Sequence, residues 1–414
     1  MKTFELRDYQ SELADKSVAI LQDYKIVCLA AEVRSGKTLI SLETANRYKA
    51  NHVLFITKLK AISSIESDYE LLSPGFKLQV VNYESLHKIT ELDFDFVVVD
   101  ECHKLGAFPK PGTQQKLIKQ LIKDKPCIFM SGTFTPESYS QIYHILSVSE
   151  NSPFAEYTSF YKWAKDFVTL KHKFLYGRQI NDYSCALKES IDEKTKHLFL
   201  SLTQVEAGFN QEITEKIFEV QMKPETYDLA KRLKRDKVLI GKTGTLLADT
   251  AVNMMNKLHQ LYSGTIKLEE GNAITIDESK AEFIRDNFGS NKIAILYKFV
   301  EEGNLLRAMF SNHTCSPEYF NEGNDSVFIG QIQSFREGVN LSSADYLIMY
   351  NIDYSAVSYF QARARMQSKD RIKPALVYWI FAKNSLDHKI YDMVANKKNF
   401  TLSHFKGALN KMYA

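Results

Sequence analysis

Short apolar runs separated by stretches of helical spacing recur along the first third of the chain. Five such runs cover 26–30, 53–56, 78–82, 94–99 and 127–130. Runs of this length, alternating with helical stretches, are typical of buried strands in a parallel sheet. A helix is predicted before the first run, over 7–24, because Ala14, Val18 and Leu21 recur at helical spacing.

The same alternation returns in the second half of the chain. Its strand-like runs cover 293–297, 327–330, 346–350 and 376–380. Two successive regions of this kind predict an α/β fold with doubly wound parallel sheets flanked by helices. Polar residues that follow the strands are then expected at one edge of each sheet, where ligands bind in such folds.

Aromatic residues and lysines are interleaved between the two halves. The predicted domains are residues 1–146, an insertion or bridging subdomain over 147–215, and residues 216–414. Within the subdomain, Trp163 and Lys165 have two interpretations: they contact bases and a nucleic-acid backbone, or they belong to a small separate core with solvated lysines. The next helical stretch carries five basic residues between 231 and 237, which form either a solvated face or a phosphate-binding surface.

Composition and charge narrow the class of protein. The chain has 414 residues, of which 44% are hydrophobic and 25% charged, ordinary values for a globular protein of two or three domains. Because the net charge is only +3, any affinity for nucleic acid must come from local patches. The five cysteines include no C-x-x-C pair, and no apolar run approaches the ~18 residues that span a bilayer. We therefore expect a reduced, cytoplasmic protein that does not bind membranes.

The segment from Ala31 to Thr38 reads Ala-Glu-Val-Arg-Ser-Gly-Lys-Thr and lies between the first predicted strand and a predicted helix. A loop of this kind, here with Ser35 and Gly36, points backbone N–H groups at phosphates. Lys37 would reach the β- and γ-phosphates, and Thr38 would bind Mg²⁺. The usual pattern has glycine at the position of Ala31, so the first turn must form without a positive φ. A chance match is the alternative, but the flanking strand and helix favour a nucleotide site.

Two acidic residues, Asp100 and Glu101, follow the predicted strand at 94–99, which is apolar enough to be a central strand. A P-loop protein that hydrolyses nucleotides needs carboxylates here, Asp100 to hold Mg²⁺ and Glu101 to orient and deprotonate the attacking water. A polar turn is the alternative. Ser131 and Thr133 follow the next strand, where their hydroxyls would sense the phosphate and relay its state.

Together these segments resemble the motifs of superfamily 2 helicases and translocases. The resemblance spans nearly the whole chain and rests on residues 6–10, 31–38, 100–103 (Asp-Glu-Cys-His, a DECH box), 131–133 and 361–365. Residues 83–86, 338–341 and 361–362 are most similar to the Snf2-like branch, in the short form known from bacterial viruses. The resemblance implies two tandem RecA-like domains with a nucleotide cleft between them, and it implies ATP and Mg²⁺ as cofactors.

The resemblance also implies roles for single residues. Gln10, with Arg7 in the same motif, would read the adenine edge, and Gly338 would bring the backbone of the second domain close to nucleotide and nucleic acid. A surface polar residue and a plain turn glycine are the respective alternatives. His103 would couple the nucleotide site to Ser131 and Thr133. Candidate nucleic-acid contacts are Lys58, Tyr83, Trp163 and Lys165, although the family commonly has proline where this chain has Lys58.

The last motif contains the main departure from the family's pattern. In the family, a glutamine is followed four residues on by an arginine and three residues further by a second arginine, which acts on the charge developing on the γ-phosphate. Here Gln361 and Arg365 fit, but Ser368 replaces the second arginine. Arg365 is our first candidate for that role and Arg371 the second, with Arg363 or slow hydrolysis as the alternatives.

The sequence therefore predicts an ATP-dependent DNA helicase or translocase that couples hydrolysis to movement along DNA, in replication, recombination or branch migration. Single-stranded, duplex or branched DNA is the expected partner, contacted mainly through its backbone. Other replication or recombination proteins are possible further partners. The alternatives are a duplex translocase without strand separation, an RNA helicase, and a nucleotide-gated DNA-binding scaffold whose hydrolysis has decayed.

Overall fold

The structure is a computed structural model. It describes residues 5–32, 34–90, 93–175, 178–208, 213–241, 243–323, 327–335, 339–368, 371 and 373–396. The chain divides into two compact units, residues 1–208 and 209–414, and each is described below by itself. None of the helices within the described ranges is both long and apolar enough to cross a membrane.

The first unit is built on a six-stranded parallel sheet. Its described strands are β1 (Ile26–Ala31), β2 (His52–Thr57), β3 (Lys77–Asn82), β4 (Phe96–Asp100), β5 (Cys127–Ser131), β6 (Lys171–Leu175), β7 (Arg178–Asp182) and β8 (Phe199–Leu202). Its described α-helices are α1 (Asp8–Tyr24), α2 (Lys37–Arg47), α3 (Ile62–Leu72), α4 (Thr113–Ile122), α5 (Gln141–Leu146), α6 (Phe160–Phe167) and α7 (Lys188–Thr195). The strand order in the sheet is β3-β2-β4-β5-β1-β8, and β6 and β7 form a separate hairpin.

Both faces of this sheet are covered, which explains the apolar runs in its strands. In β4, Val97 and Val99 belong to one core, and the alternate residues Phe96 and Val98 are also completely buried. A strand without a solvent-facing side is apolar along its whole length instead of alternating. The strands predicted in the first third of the sequence, and the helix before them, are confirmed.

Residues 147–208 extend the first unit. The indole ring of Trp163 on α6 is 0% exposed and lies 5.3 Å and 5.6 Å, between ring centroids, from Tyr143 and Phe154. Strand β8 pairs in parallel with β1 and completes the sheet. Because these aromatic side chains are buried in the first core, the division between the units falls at 208/209 and differs from the predicted boundary at 146/147.

The second unit is built on another six-stranded parallel sheet. Its described strands are β9 (Ile213–Val220), β10 (Val238–Gly241), β11 (Gly244–Leu247), β12 (Thr265–Lys267), β13 (Ala273–Thr275), β14 (Ile293–Tyr297), β15 (His313–Thr314), β16 (Val327–Gln331), β17 (Tyr346–Met349) and β18 (Ala375–Ala382). Its described α-helices are α8 (Pro224–Asp236), α9 (Ala251–Tyr262), α10 (Ser279–Phe288), α11 (Val300–Met309), α12 (Pro317–Glu322), α13 (Ile332–Phe335), α14 (Ala356–Arg363) and α15 (Asp387–Ala395). The strand order is β15-β16-β14-β17-β18-β9, while β10–β11 and β12–β13 are antiparallel hairpins.

The strands of the second sheet separate two apolar cores. In β14, Ile293 and Ile295 contribute to one core, and Ala294 and Leu296 contribute to the other. The four strands predicted in the second half of the sequence are confirmed. The predicted boundary at 215/216 falls inside β9, because the first half of this strand is only partly buried and lacks an apolar run.

Candidate functional site

The residues singled out in the first half of the sequence meet at one edge of the first sheet. Strand β5 lies between β1 and β4, and the three strands are parallel. Their carboxyl ends therefore lie side by side: the loop from Ala31 to Thr38 follows β1, Asp100 ends β4 and Ser131 ends β5. This is the edge at which parallel α/β sheets bind ligands.

The loop after β1 obtains its turn from two residues with positive φ, Arg34 at 66° and Gly36 at 85°. Ala31 is the last residue of β1, so the turn forms further along the loop than the position where glycine is usual. Gly36 is required for a second reason, because a Cβ at this position would collide with the side-chain nitrogen of Gln10. Burial lowers the pKa of the Arg34 guanidinium to about 10.

The side chain of Lys37 folds back into this loop. Its Nζ donates to the carbonyl oxygen of Ala31 at 2.8 Å, and the Glu32 carbonyl lies 3.5 Å away. The hydroxyl of the buried Ser35 donates to the same Glu32 carbonyl at 2.7 Å. Helix α2 begins at Lys37, with Thr38 in its first turn, so unbonded N–H groups and partial positive charge lie next to the loop. An ammonium, backbone N–H groups and a hydroxyl together suit phosphate oxygens.

The start of α1 packs against the loop. The hydroxyl of Tyr9 donates to the carbonyl oxygen of Ser35 at 3.2 Å. Gln10 is 3% exposed, and its Oε1 accepts the Arg7 N–H at 3.1 Å. The two residues predicted to read adenine, Arg7 and Gln10, therefore lie beside the phosphate-binding loop, with the Gln10 amide nitrogen directed at Gly36.

Asp100 is held by groups from neighbouring elements. The hydroxyl of Thr57, at the end of β2, donates to Asp100 Oδ2 at 2.8 Å, and the Glu101 N–H donates to Oδ1 at 2.9 Å. The hydroxyl of the buried Tyr83 donates to the Asp100 carbonyl oxygen. Glu101 has a φ of 51°, a left-handed conformation that turns the chain sharply after the strand. The two carboxylates are thus fixed at the ligand-binding edge.

The two carboxylates differ in their affinity for a proton. Burial, followed by repulsion from Glu101, raises the pKa of Asp100 to about 6, although Lys37 acts in the opposite direction. Burial also acts to raise the pKa of Glu101, but His103, followed by Lys58 and Lys37, outweighs it and holds this pKa below its ordinary value. Glu101 is therefore ionised at neutral pH. The charge of Lys37 acts on both carboxylates, which places the loop and the acidic pair in one site.

A chain of polar contacts connects Glu101 to the end of β5. The Nδ1 atom of His103 lies 3.2 Å from Glu101 Oε2 and 3.1 Å from Ser131 Oγ. Ser131 Oγ in turn donates to the Thr133 carbonyl oxygen at 2.9 Å and accepts the Thr133 N–H at 3.1 Å. The residues predicted to couple the site therefore form a series of contacts: His103 contacts Glu101 and Ser131, and Ser131 contacts Thr133.

In the second unit, Gln361 on α14 and Arg365 just after it are both 5% exposed. Arg365 Nε donates to the Gln361 carbonyl at 2.8 Å, and one of its terminal nitrogens donates to the Val339 carbonyl at 3.3 Å. The N–H of Leu341 donates to the Arg365 carbonyl at 3.0 Å. Arg365 therefore joins the Gln361 motif to the segment that begins at Val339. Gly338, which the sequence analysis assigned to that segment, lies outside the described residues.

Arg363 belongs to a network around Glu215 of β9. Its guanidinium forms an ion pair with the Glu215 carboxylate, which also accepts hydrogen bonds from Tyr359 at 2.8 Å and from Trp379 Nε1 at 2.7 Å. The guanidinium carbon lies 5.2 Å from the centre of the Tyr359 ring. Through these contacts Arg363 helps to hold α14 on the sheet. This structural role does not favour Arg363 as the residue that replaces the second motif arginine.

Arg371 is bonded to backbone carbonyls. Its guanidinium donates to Ala344 at 2.8 Å and to Pro374 at 3.0 Å, and it also contacts the Ser342 carbonyl. Burial lowers its pKa, while Asp345 acts in the opposite direction. Arg371 therefore ties together the backbone of the loops that precede β17 and β18, as Arg365 ties the Gln361 motif to the segment at Val339.

The four residues that the sequence suggested for nucleic-acid contact are placed differently. Lys58 follows β2 at the ligand-binding edge, and its charge acts on the acidic pair. Tyr83 and Trp163 are 1% and 0% exposed, so neither ring has a face free for a base, and their suggested role is wrong. Both rings fill the first core. An aromatic residue beside exposed lysines gives the same sequence pattern whether its ring is buried or stacks on a base. Lys165 is exposed on α6.

Three further groups at this edge escaped the sequence analysis: Tyr9, Thr57 and Glu32. Glu32 donates its N–H to the Leu202 carbonyl at 2.9 Å and accepts the Gln204 N–H on its carboxylate at 2.8 Å, so it joins the loop to the segment after β8. Thr57 directly follows a predicted apolar run, and this position was a usable signal. Nothing in the sequence pattern distinguishes Tyr9 from a surface residue, or Gln204, the partner of Glu32, from one.

The donor atoms at this edge fit a hard cation that arrives with a nucleotide. Thr38 offers a hydroxyl and Asp100 a carboxylate, which are oxygen ligands of the kind that Mg²⁺ prefers. Among the residues that the structure describes, no group of three or more His, Cys, Asp and Glu side chains is arranged to hold a metal. Mg²⁺ does not need such a cage, because phosphate oxygens and water commonly complete its octahedron.

Comparison with known proteins shows distant similarity to helicases. No protein-family model matches the sequence. The chain is 31% identical over 86 residues to the lymphoid-specific helicase of Homo sapiens, which covers 20% of this chain and 10% of that protein. It is 22% identical over 442 residues to an uncharacterized ATP-dependent helicase of Mycoplasma pneumoniae, which covers 96% of this chain and 42% of that protein. The chain thus spans less than half the length of these curated relatives.

Among solved structures, the chain is similar to the Sulfolobus solfataricus SWI2/SNF2 ATPase core in complex with dsDNA. The TM-score is 0.44 at 17% sequence identity, over 98% of this chain and 93% of that one. The fold itself is that of two tandem RecA-like domains, as the strand orders and the helices on each sheet show. The curated relatives show that the chain has distant similarity to helicases.

Proposed function

We propose that the chain is an ATP-dependent DNA helicase or translocase of the Snf2-like type, in the short form known from bacterial viruses. The observation that carries the proposal is the meeting of Lys37, Asp100 and Glu101 at one sheet edge beside Gln10. The relative that matches along 96% of this chain is an ATP-dependent helicase by name, which supports ATP as the nucleotide.

In the proposed reaction, the first unit binds and hydrolyses the nucleotide. Lys37 and the backbone N–H groups at the start of α2 hold the phosphates, while Gln10 and Arg7 read the adenine edge. Thr38 and Asp100 would hold Mg²⁺, which when bound neutralises charge on the β- and γ-phosphates. Glu101, ionised at neutral pH, orients the attacking water and accepts its proton.

Two further roles complete the proposal. Arg365 of the second unit is the proposed arginine that stabilises charge developing on the γ-phosphate. The contacts from Glu101 through His103 to Ser131 and Thr133 give the phosphate state a path to the end of β5. Gly338 and Lys58 keep their proposed roles near nucleotide and nucleic-acid backbone.

The setting that we propose is replication, recombination or branch migration, with DNA contacted mainly through its phosphates and with other proteins of these processes as partners. Such a protein would act in the cytoplasm.

The decisive test is the ATPase rate of the chain with single-stranded DNA, duplex DNA, forked DNA and RNA as separate stimulants. We expect DNA to stimulate hydrolysis. Lys37→Ala should lower the rate of hydrolysis by about 10²-fold or more, because the phosphates lose their ammonium partner. Lys49→Ala, which changes an exposed lysine just beyond the other end of α2, is the matched control. Hydrolysis that persists in Lys37→Ala would contradict the assignment of the site. Stimulation by RNA alone would favour the RNA helicase.

Strand separation is tested separately from translocation. A strand-displacement assay beside a triplex-displacement assay distinguishes a helicase from a duplex translocase, because only the second assay detects movement along intact duplex.

One observation favours a second candidate, a nucleotide-gated DNA-binding scaffold with decayed hydrolysis. Ser368 replaces the second motif arginine, and Arg363, Arg365 and Arg371 all donate hydrogen bonds to groups of the second unit. This candidate predicts DNA affinity that differs between ADP and a non-hydrolysable ATP analogue, together with no DNA-stimulated turnover.

A further inference from the structure

Helix α8 of the second unit carries a basic surface that the proposed ATP site does not use. The helix packs on the core through buried residues one turn apart, namely Thr226, Ala230 and Leu233. Lys231, Arg232 and Arg235 are exposed. They lie on one face, because Arg235 is three and four positions after the other two and such positions are neighbours on a helix. Lys237 follows at the exposed end of the helix.

This surface concentrates charge. Residues 231–237 contain five basic residues and one acidic residue, a net charge of +4, whereas the whole chain has a net charge of +3. The acidic residue, Asp236, pairs with its neighbour Arg235 at 2.7 Å. The charge of Arg232 also acts on Asp236 and, after Arg235, helps to lower the pKa of this carboxylate.

Stabilisation of the helix explains only some of the basic residues in this segment. Basic residues in the last turn, here Lys234 and Arg235, interact favourably with the partial negative charge at a helix C-terminus, typically by about 0.3–1 kcal/mol each. Lys231 and Arg232 lie about one turn earlier, where that effect has faded. On the helix surface their neighbours are the exposed Asp228, three and four positions before them, and the basic Arg235, three and four positions after them.

A second helix adds another like charge. Lys234 is only partly exposed, and its pKa is lowered first by burial and then by the charge of Lys389 on α15. A positive charge from a separate helix therefore acts on Lys234, at the base of the exposed stripe.

We propose that the basic surface, defined as Lys231, Arg232, Lys234, Arg235 and Lys237, binds the phosphodiester backbone of nucleic acid, as a contact area on the second unit. The inference rests on the proposed function, because it supplies one contact surface for its DNA. A nucleic-acid backbone suits this surface because its exposed side chains are cations that match phosphates in charge; the exposed Val238 and Ile240 of β10 follow the stripe.

The test compares Lys231→Ala/Arg232→Ala with a matched control, Lys116→Ala/Lys119→Ala, which removes two exposed lysines from α4 of the first unit. The affinities of the full chain for duplex DNA, single-stranded DNA and RNA of equal length are measured by fluorescence anisotropy between 50 and 200 mM salt. ADP affinity and Tm are measured for each variant.

We expect the α8 variant to bind DNA about tenfold more weakly at 50 mM salt, with a salt dependence whose log–log slope is smaller by about 1.4–1.8, because two phosphate contacts are lost. The control variant should retain the wild-type slope, and both should retain ADP affinity and Tm. Equal slopes for the α8 variant and wild type would overturn the inference, as would an equal loss in the control. Wild-type protein that binds ADP but no nucleic acid would refute the proposed function itself.

Discussion

The edge proposed to bind ATP in the first unit and the arginine segment of the second unit differ in what their charged groups contact. At the edge, Lys37 donates to a carbonyl of its own loop and Glu101 contacts His103 two residues away, so both contacts are local in sequence. In the arginine segment, Arg363 is paired with a strand more than a hundred residues away, and Arg371 joins separate loops. The first region is arranged to receive a ligand, whereas most of the second holds its own unit together.

The largest effect is expected from Glu101→Gln. The substitution keeps the shape of the side chain and removes the general base, so turnover should fall by about 10²–10⁴-fold while ATP affinity changes little. Single-turnover hydrolysis and equilibrium binding of ATP measure the two quantities. Glu12→Gln, an exposed change on α1, is the control. Turnover that stays within a factor of about three of wild type would remove Glu101 from the reaction.

Arg365→Ala should have the next largest effect and distinguishes the arginines from one another. Because the contact with the γ-phosphate is needed only as charge develops, turnover should fall by about 10²-fold or more, and ADP affinity should change by less than about threefold. Arg363→Ala should lower stability by about 1–3 kcal/mol, since Glu215 loses a charged partner, but should leave the turnover of the folded protein close to wild type. Turnover and Tm of both variants are the measurements. If Arg363→Ala reduces turnover without a change in Tm, the two assignments are exchanged.

The edge residues were predictable from the sequence because their position depends on local order. An apolar run that ends in a polar residue specifies both a strand and the sheet edge where that residue lies, which is why Asp100 and Ser131 were found, while the pattern of the loop between strand and helix identified Thr38. The contact of His103 with Ser131 also follows, since β4 and β5 are neighbours in the sheet.

Residues whose roles depend on distant packing were not predictable. Trp163 and Tyr83 are core residues because of chain segments that close over them, and the ion pair of Arg363 with Glu215 joins positions 148 residues apart. Apolar periodicity carries no information on such pairs. The same reason explains the difference at the domain boundary, where β8 joins the first sheet after a long aromatic segment.

Asp100→Asn should stabilise the folded chain at neutral pH, whereas removal of a charged, hydrogen-bonded group usually destabilises it. The pKa of Asp100 is raised by burial and by Glu101, so the folded chain binds its proton more tightly than the unfolded chain. That contribution to stability is present below about pH 4 and is lost as pH rises through about 6. In Mg²⁺-free buffer, Asp100→Asn should therefore be more stable than wild type at pH 7.5, by about 1–3 kcal/mol, and closer to it at pH 5.

The control for this profile is Asp95→Asn. Burial acts to raise the pKa of Asp95, but hydrogen bonds from the His52 and Asn51 backbones outweigh it and lower this pKa, so the ionised form stabilises the fold above about pH 4. Asp95→Asn should thus be destabilised by a similar amount from pH 5 to 7.5. The measurement is Tm across that range. Parallel profiles for the two variants would show that Asp100 does not carry an unusual proton affinity.

The smallest effect is expected from Tyr9→Phe. The Tyr9 hydroxyl donates to the Ser35 carbonyl and so fixes the loop against α1, while the phenyl ring is kept in the variant. Loss of one hydrogen bond of this kind is worth about 0.5–1.5 kcal/mol, which corresponds to ADP binding weaker by about two- to tenfold. Tyr24→Phe, at the far end of the same helix and 44% exposed, is the matched control and should bind ADP as wild type does. Equal affinities of the two variants would mean that the loop holds its shape without α1, and that the edge is organised by its own turn alone.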